Sequence, residues 1–398
     1  MFKQLKLRDI GIVVILILAT IVGGYYYVNN QARTRLWQST YPIRADLALR
    51  HVTCSQDTPD WLRTILIEKT KYQNAPANQI AYIDRLGNLY HCESGYIDNY
   101  PVVSKPISEN TRFRYASVTK LWTADAILDL IKQGKFTLDT PIAKLLPDIR
   151  HPKDPRVNDI TIRQLLKHQG GFNRLDIRGY DMFGIGEPIC PNSLSKLNTI
   201  TLNFTPGAQT SYSNLGYCLL GAVIEQVSGL SYQDYIQENY NIQKAGIQFI
   251  SNQRLPDEIS YNYIESGLTG VADIYTAFEY DDLYAVAGLS GSAVAATQQV
   301  QIMSNKAQPN ILSLDSTENC NIEDIKDCYG YAMVAYRQSA EQPMFHYRTG
   351  TLLGLSSLVV VDDHGSVVTL LSNGTPTAAE HSNNQVLEII YNNLKEEQ

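Results

Sequence analysis

Residues 80–84 and 89–92 read as two strands, joined by a turn at Arg85-Leu-Gly-Asn. The next strand-forming stretches lie more than two hundred residues later, at 331–336, 344–348, 357–361 and 367–371. Asp363-His-Gly-Ser separates the last two, which predicts a hairpin. The interval between is helical in pattern. A helix is expected from Ser117 to Gln133 with Gly134 as its stop, another over 215–227 ended by Gly229, and a more polar one over 232–240. Residues 61–72 and 379–394 have helical spacing at the two ends. Strands from both ends can share one sheet only if the middle is an insertion. The expected class is therefore α+β: an antiparallel sheet flanked by N- and C-terminal helices, plus a mostly helical inserted region over about 140–285. With 398 residues and 44 % hydrophobic content, the chain can bury one large core.

The first 35 residues stand apart as a membrane anchor or signal. Lys3, Lys6 and Arg8 precede an uncharged, predominantly apolar run over residues 10–28. As a helix that run would reach about 28 Å, near the thickness of a bilayer core. Tyr25, Tyr26 and Tyr27 close it, where aromatic rings favour the membrane interface. The basic residues before it put the body outside the cytoplasm, in the periplasm or at the cell surface; secretion after signal cleavage is the alternative. Residues 36–77 read as a stalk or leader, and 78–398 as the folded domain. The six cysteines, Cys54, Cys92, Cys190, Cys218, Cys320 and Cys328, fit such a compartment as disulfides. Consecutive pairing is the expectation, with Cys320–Cys328 the safest pair and Cys218 alternatively a buried thiol. No C-x-x-C or Cys/His cluster occurs, so no metal is expected. The formal charge of −7 excludes nucleic acid as an expected partner.

Three short motifs carry the chemistry. Ser117-Val-Thr-Lys120 sets a hydroxyl and an amine on one face of a helix, one turn apart. An amine of lowered pKa there can take the serine proton, and the helix N-terminus favours a developing anion. Ser-x-x-Lys is expected about once by chance in a chain this long, given ordinary residue frequencies. Ser193-Leu-Ser-Lys196 is such a decoy, with no buried helix behind it. Tyr212-Ser-Asn214 offers a phenol for proton relay and an amide for substrate. It follows Phe204-Thr-Pro-Gly and enters an apolar helix, which sets it apart from the same pattern at Tyr27, Tyr72 and Tyr391. Arg348-Thr349-Gly350 lies on a predicted strand, where a small residue and a glycine admit a substrate and the guanidinium suits a carboxylate.

The order and spacing of these motifs resemble the serine β-lactamase and penicillin-binding-protein superfamily, especially the branch of class C β-lactamases, D-Ala-D-Ala carboxypeptidases and esterases. Gly134-Lys-Phe-Thr-Leu-Asp-Thr-Pro-Ile, Ile160-Thr-Ile-Arg-Gln-Leu-Leu-Lys-His-Gln-Gly-Gly and Gly288–Gly291 resemble further family segments, so the likeness covers about residues 78–375. It implies a serine hydrolase in which Ser117 forms an acyl-enzyme, Lys120 activates it and Tyr212 is the acid/base partner. Asn214, Arg348, Thr349, Gly350 and Thr351 would bind substrate, with the backbone N–H groups of Ser117 and Thr351 as the oxyanion hole. No cofactor is implied. Arg348 departs from the family's lysine or histidine: it keeps the charge but cannot shuttle a proton. His346, on the same strand face, is a candidate substitute. Gly170-Gly171 replaces the family's Ser-Gly. The leading expectation is a D,D-peptidase acting on peptidoglycan-type or other D-amino-acid peptides. An esterase comes next, then a dedicated β-lactamase. The alternative of another class is a catalytically silent cell-wall-binding protein.

Overall fold

The computed structural model describes residues 7–98, 104–173, 188–261, 274–275, 277–315, 328–337, 339, 341–374 and 379–396. The N-terminal helices are α1 (Leu7–Val28), α2 (Asn30–Ser39), α3 (Tyr41–Leu49) and α4 (Asp60–Tyr72). The N-terminal strands are β1 (Thr53–Cys54), β2 (Asn78–Ile83), β3 (Leu89–Ser94) and β4 (Phe113–Arg114). The middle holds α5 (Lys120–Lys132), α6 (Ile162–Leu166), α7 (Asn214–Ser228), α8 (Tyr232–Tyr240), β5 (Gln248–Phe249), α9 (Tyr284–Ala287), β6 (Leu289–Gly291) and α10 (Ala293–Ser304). The chain ends with β7 (Cys328–Tyr329), β8 (Val334–Tyr336), β9 (Phe345–Leu352), β10 (Leu355–Asp362), β11 (Val367–Ser372) and α11 (Ala379–Glu396).

The expected sheet is present and wholly antiparallel, in the order β1-β3-β2-β11-β10-β9-β8-β7. C-terminal β11 lies against N-terminal β2, which closes the two ends of the chain into one layer. Side chains alternate between its faces. Ile80, Tyr82, Leu358, Val360, Val368 and Leu370 join Leu62, Ile65 and Leu66 of α4 and Ile390 of α11 in one core. Ala81, Val359, Val361, Val367 and Leu371 face the larger core beneath the helical region. Burial on both faces explains why these strands read as continuous apolar runs. Each fully buried Leu, Ile or Val contributes about 1.5–3 kcal/mol.

Residues 36–77, expected as a stalk, thus include α4, which packs on the sheet, and β1, which pairs with β3. A disulfide joins Cys54 to Cys92 across that pair, and a second joins Cys190 to Cys218, so Cys218 is not a free thiol. Cys328 is also disulfide-bonded; its expected partner Cys320 lies outside the described residues. Such bridges fit an extracytoplasmic body. The expected membrane crossing falls on α1, whose aliphatic side chains from Ile10 to Val22 are exposed. Among the described residues no helix is long and apolar enough to cross a membrane, so the expected crossing over 10–28 is not met on that count.

Candidate active site

A second, three-stranded sheet, β4-β6-β5, aims the nucleophile segment. Arg114 of β4 is buried completely with Glu258, at 2.6 Å, and its guanidinium lies 4.6 Å from the ring centres of both Tyr275 and Tyr280. Tyr115 N–H donates to Leu289 O at 2.8 Å, so β4 stays zipped to β6 up to the turn. Ala116 then adopts φ +48°, in the left-handed region that non-glycine residues rarely enter. Ser117 follows in a 3₁₀ turn over Ala116–Thr119, and α5 begins only at Lys120. The expected helix therefore starts three residues later than Ser117, yet Ser117 and Lys120 still meet, because a 3₁₀ turn stacks residues three apart.

Lys120 is fully buried, and its amine donates to Ser117 Oγ at 3.0 Å, Asn214 Oδ1 at 2.9 Å and Val286 O at 3.0 Å. Tyr212 and Asn214 enter together where Ser213 caps α7, accepting from Gly216 N–H. The Tyr212 hydroxyl donates to Ser117 Oγ at 2.7 Å. Asn214 is thus a support for the lysine in this arrangement. Burial would raise the Tyr212 pKa, but the charges of Lys120 and Arg348, with hydrogen bonding to Lys120 and Ser117, outweigh it and bring the phenol down to about 8.

Arg348 arrives from β9 and is 3 % exposed. Its Nε donates to Ser117 O at 3.2 Å and its Nη1 to Ala332 O at 3.1 Å, while its Nη2 is buried without a hydrogen-bond partner. The guanidinium lies 5.5 Å from the Tyr212 ring centre and 5.4 Å from that of Tyr217. Two of its donors are therefore spent on backbone carbonyls, which differs from the free carboxylate clamp that the sequence implied. Gly350, two residues on, has a hard requirement. A Cβ there would overlap Ser357 Oγ and come within 2.7 Å of Tyr115 O and 2.8 Å of Ser117 N. Thr349 is half-buried and Thr351 exposed, and β9 pairs with β8 only through residues 345–347, so its second half presents an edge beside Ser117.

His346 is buried away from this crevice. Its charged neighbour is Asp363 at the hairpin turn, and burial lowers its pKa to about 4. With Asp363 as its charged neighbour, and Ser117 Oγ engaged by Lys120 and Tyr212, His346 is not supported as a substitute for the family's titratable residue. Ser193 and Lys196 of the decoy motif lie at a separate 3₁₀ turn, Leu194–Asn198. Two participants escaped the sequence reading: Val286, which acts through its carbonyl, and His168, whose ring centre is 4.4 Å from that of Tyr212. The Leu-Leu-Lys-His run was the only signal for the latter. Among the described residues no group of His, Cys, Asp and Glu side chains is arranged to hold a metal ion.

The family model described as Beta-lactamase matches residues 95–241. A protein named for fimbrial assembly, FimD of serogroup D from Dichelobacter nodosus, is 38 % identical over 373 residues, covering 93 % of each chain. Esterase EstB from Burkholderia gladioli is 35 % identical over 166 residues, or 38 % of this chain and 41 % of its own. Among solved structures, a D-stereospecific amidohydrolase from Streptomyces sp. superposes with a TM-score of 0.62 at 22 % identity, over 79 % of this chain and 94 % of that one. The match over 95–241, in a fold shared with the amidohydrolase, places this chain in the β-lactamase family of serine hydrolases, and its near full-length relative carries a fimbrial-assembly name.

Proposed function

We propose that the protein is a D,D-peptidase or carboxypeptidase that acts on peptidoglycan-type or other D-amino-acid peptides through an acyl-enzyme on Ser117. The observation that carries this reading is the placement of Ser117 Oγ between the Lys120 amine, at 3.0 Å, and the Tyr212 hydroxyl, at 2.7 Å. Lys120 meets Ser117 Oγ, which can donate or accept, and the carbonyl oxygens of Asn214 and Val286, which only accept; the set suits an ammonium and equally a neutral amine whose lone pair faces the serine hydroxyl. With its pKa brought down to about 8 and its hydroxyl 2.7 Å from Ser117 Oγ, Tyr212 as phenolate is the group we propose to receive the serine proton. The expectation that Lys120 is the acceptor is the second reading, supported by its 3.0 Å contact with the same oxygen.

In the first step Ser117 Oγ bonds to the substrate carbonyl carbon and its proton passes to Tyr212. The Tyr212 proton then goes to the leaving amine or alkoxide as the acyl bond breaks. Water attacks the ester with its proton taken by Tyr212, which returns it to Ser117 Oγ. The oxyanion would be held by the N–H groups of Ser117 and Thr351, beside the close approach at Gly350. The charges of Arg348 and Lys120 favour an anionic or carbonyl group of the substrate in the crevice.

Support for a D-amino-acid substrate is the likeness to proteins titled D-stereospecific amidohydrolase and D-amino acid amidase, at the level of fold. The esterase reading has its own support in the match to EstB. Labelling with a fluorescent penicillin separates the readings. Loss of label in Ser117→Ala supports acylation and peptidase chemistry; hydrolysis of short-chain p-nitrophenyl esters without labelling favours the esterase; neither activity leaves a silent binding protein. The exposed aliphatic side chains of α1 from Ile10 to Val22 support an anchor with the disulfide-bonded body outside the cytoplasm. The pairing of β1 and the packing of α4 support counting residues from 53 onward with the hydrolase domain. Release of the protein from membranes by high salt or alkaline carbonate would refute the anchor.

A further inference from the structure

His168 lies one residue beyond the C-cap of α6, with φ +57°. A left-handed backbone is costly for a residue with a Cβ and persists only where surrounding contacts impose it. Two of its hydrogen bonds flank Tyr212. The His168 carbonyl accepts Ser211 N–H at 2.8 Å, and its Nδ1 accepts Ser213 N–H at 3.2 Å. One residue thus holds the backbone on both sides of Tyr212. The imidazole also lies against the phenol, with ring centres 4.4 Å apart and planes inclined by 33°. Tyr217 lies on it at 5.0 Å and Tyr329 meets it edge-on at 5.2 Å.

Because Nδ1 accepts, the proton of the neutral ring is on Nε2, which is buried without a hydrogen-bond partner. Burial, then the charges of Arg348 and Lys120, hold the His168 pKa well below its ordinary value. Protonation would also turn Nδ1 into a donor facing the Ser213 N–H. The ring is therefore a neutral fixture.

We infer that His168 is the positioning residue of the Tyr212 acid/base: its carbonyl and Nδ1 clamp Ser211 and Ser213, and its ring backs the phenol so that the hydroxyl stays on Ser117 Oγ. The inference rests on the reading of Tyr212 as the proton acceptor, and the test separates the two. Glycine accepts the backbone of residue 168 but removes the acceptor and the ring. Asparagine tolerates that backbone and returns an acceptor oxygen at the place of Nδ1. The readouts are p-nitrophenyl butyrate kinetics and an ultraviolet titration of tyrosinate in the full chain.

The expected result for His168→Gly is a fall in kcat of roughly 10–100-fold with KM within about threefold, and a tyrosinate midpoint moved up towards the ordinary value. His168→Asn should recover most of both. In a Tyr212→Phe background His168→Gly should cost little more, since it acts through Tyr212. Equal losses in the Gly and Asn variants, an unmoved midpoint, or an undiminished cost in the Tyr212→Phe background would overturn the inference and leave the tyrosine's role standing. A Tyr212→Phe protein with full kcat and an unchanged low-pH tyrosinate step would overturn the tyrosine's role, and the inference with it.

Discussion

Gly350→Ala puts one methyl group where β9 crosses the nucleophile turn. Its carbon would overlap Ser357 Oγ and sit 2.7 Å from Tyr115 O and 2.8 Å from Ser117 N, whereas ordinary contact begins near 3.4 Å. A side chain can rotate away, but two of these atoms are backbone. The strand and the turn must therefore part by roughly 0.6–0.7 Å. Overpacking of this kind costs about 1–3 kcal/mol of stability. The same shift separates the Ser117 and Thr351 N–H groups that would share the oxyanion. A displacement of about 1 Å near reacting atoms costs about 100-fold, and loss of one oxyanion donor about 100–1,000-fold. We expect kcat/KM for the ester, or the rate of penicillin acylation, to fall about 100-fold, near 2.7 kcal/mol of transition-state stabilisation. Urea denaturation should locate the smaller stability loss in the same preparation. Adding Ser357→Ala relieves only the hydroxyl overlap and should restore nothing. A Gly350→Ala enzyme that folds and keeps activity within about threefold would show that this approach does not set the geometry.

Activity should rise with pH through about 8, because the base form of Tyr212 is the phenolate and its fraction grows above its pKa; a rate flat from pH 6 to 9 would contradict this. Tyr212→Phe should remove that limb and lower kcat by about 100–10,000-fold, read from the same pH–rate profile. Arg348→Gln deletes a cation that lowers the Tyr212 pKa, so the acid limb should move up by about 1 unit or more, while Arg348→Lys should restore the limb but only part of the rate, as one ammonium replaces a fork bonded to Ser117 O and Ala332 O. Glu258→Ala leaves the Arg114 guanidinium buried without its carboxylate and should cost about 3–5 kcal/mol in urea unfolding, with Glu258→Gln intermediate.

The layering of the molecule was legible in the residues because its main elements are long and patterned. The strands β2, β3, β10 and β11, and the helices α4, α5, α7 and α11, each carry enough apolar residues at one period to be read directly. β1, β4, β5 and β7 have two residues each, and β6 three, too few for any period; they exist because neighbours already in place offer backbone partners. Ser117 and Lys120 were readable as a pair because a single turn brings them together. Tyr212 and Arg348 were readable only as candidates, since 95 and 231 residues separate them from Ser117.

Local order along the chain therefore determined the long strands and helices and the Ser117–Lys120 pair. Tertiary structure alone decided what those groups do to one another. It turned the Arg348 guanidinium onto the Ser117 and Ala332 carbonyls, brought the Lys120 amine to Ser117, Asn214 and Val286, set Tyr212 beside Lys120 and Arg348 and seated it on His168. The reason is physical: propensity and hydrophobic period act over a few residues, whereas a pKa or a hydrogen bond in a buried crevice depends on distances of 3–6 Å between groups that the sequence leaves far apart.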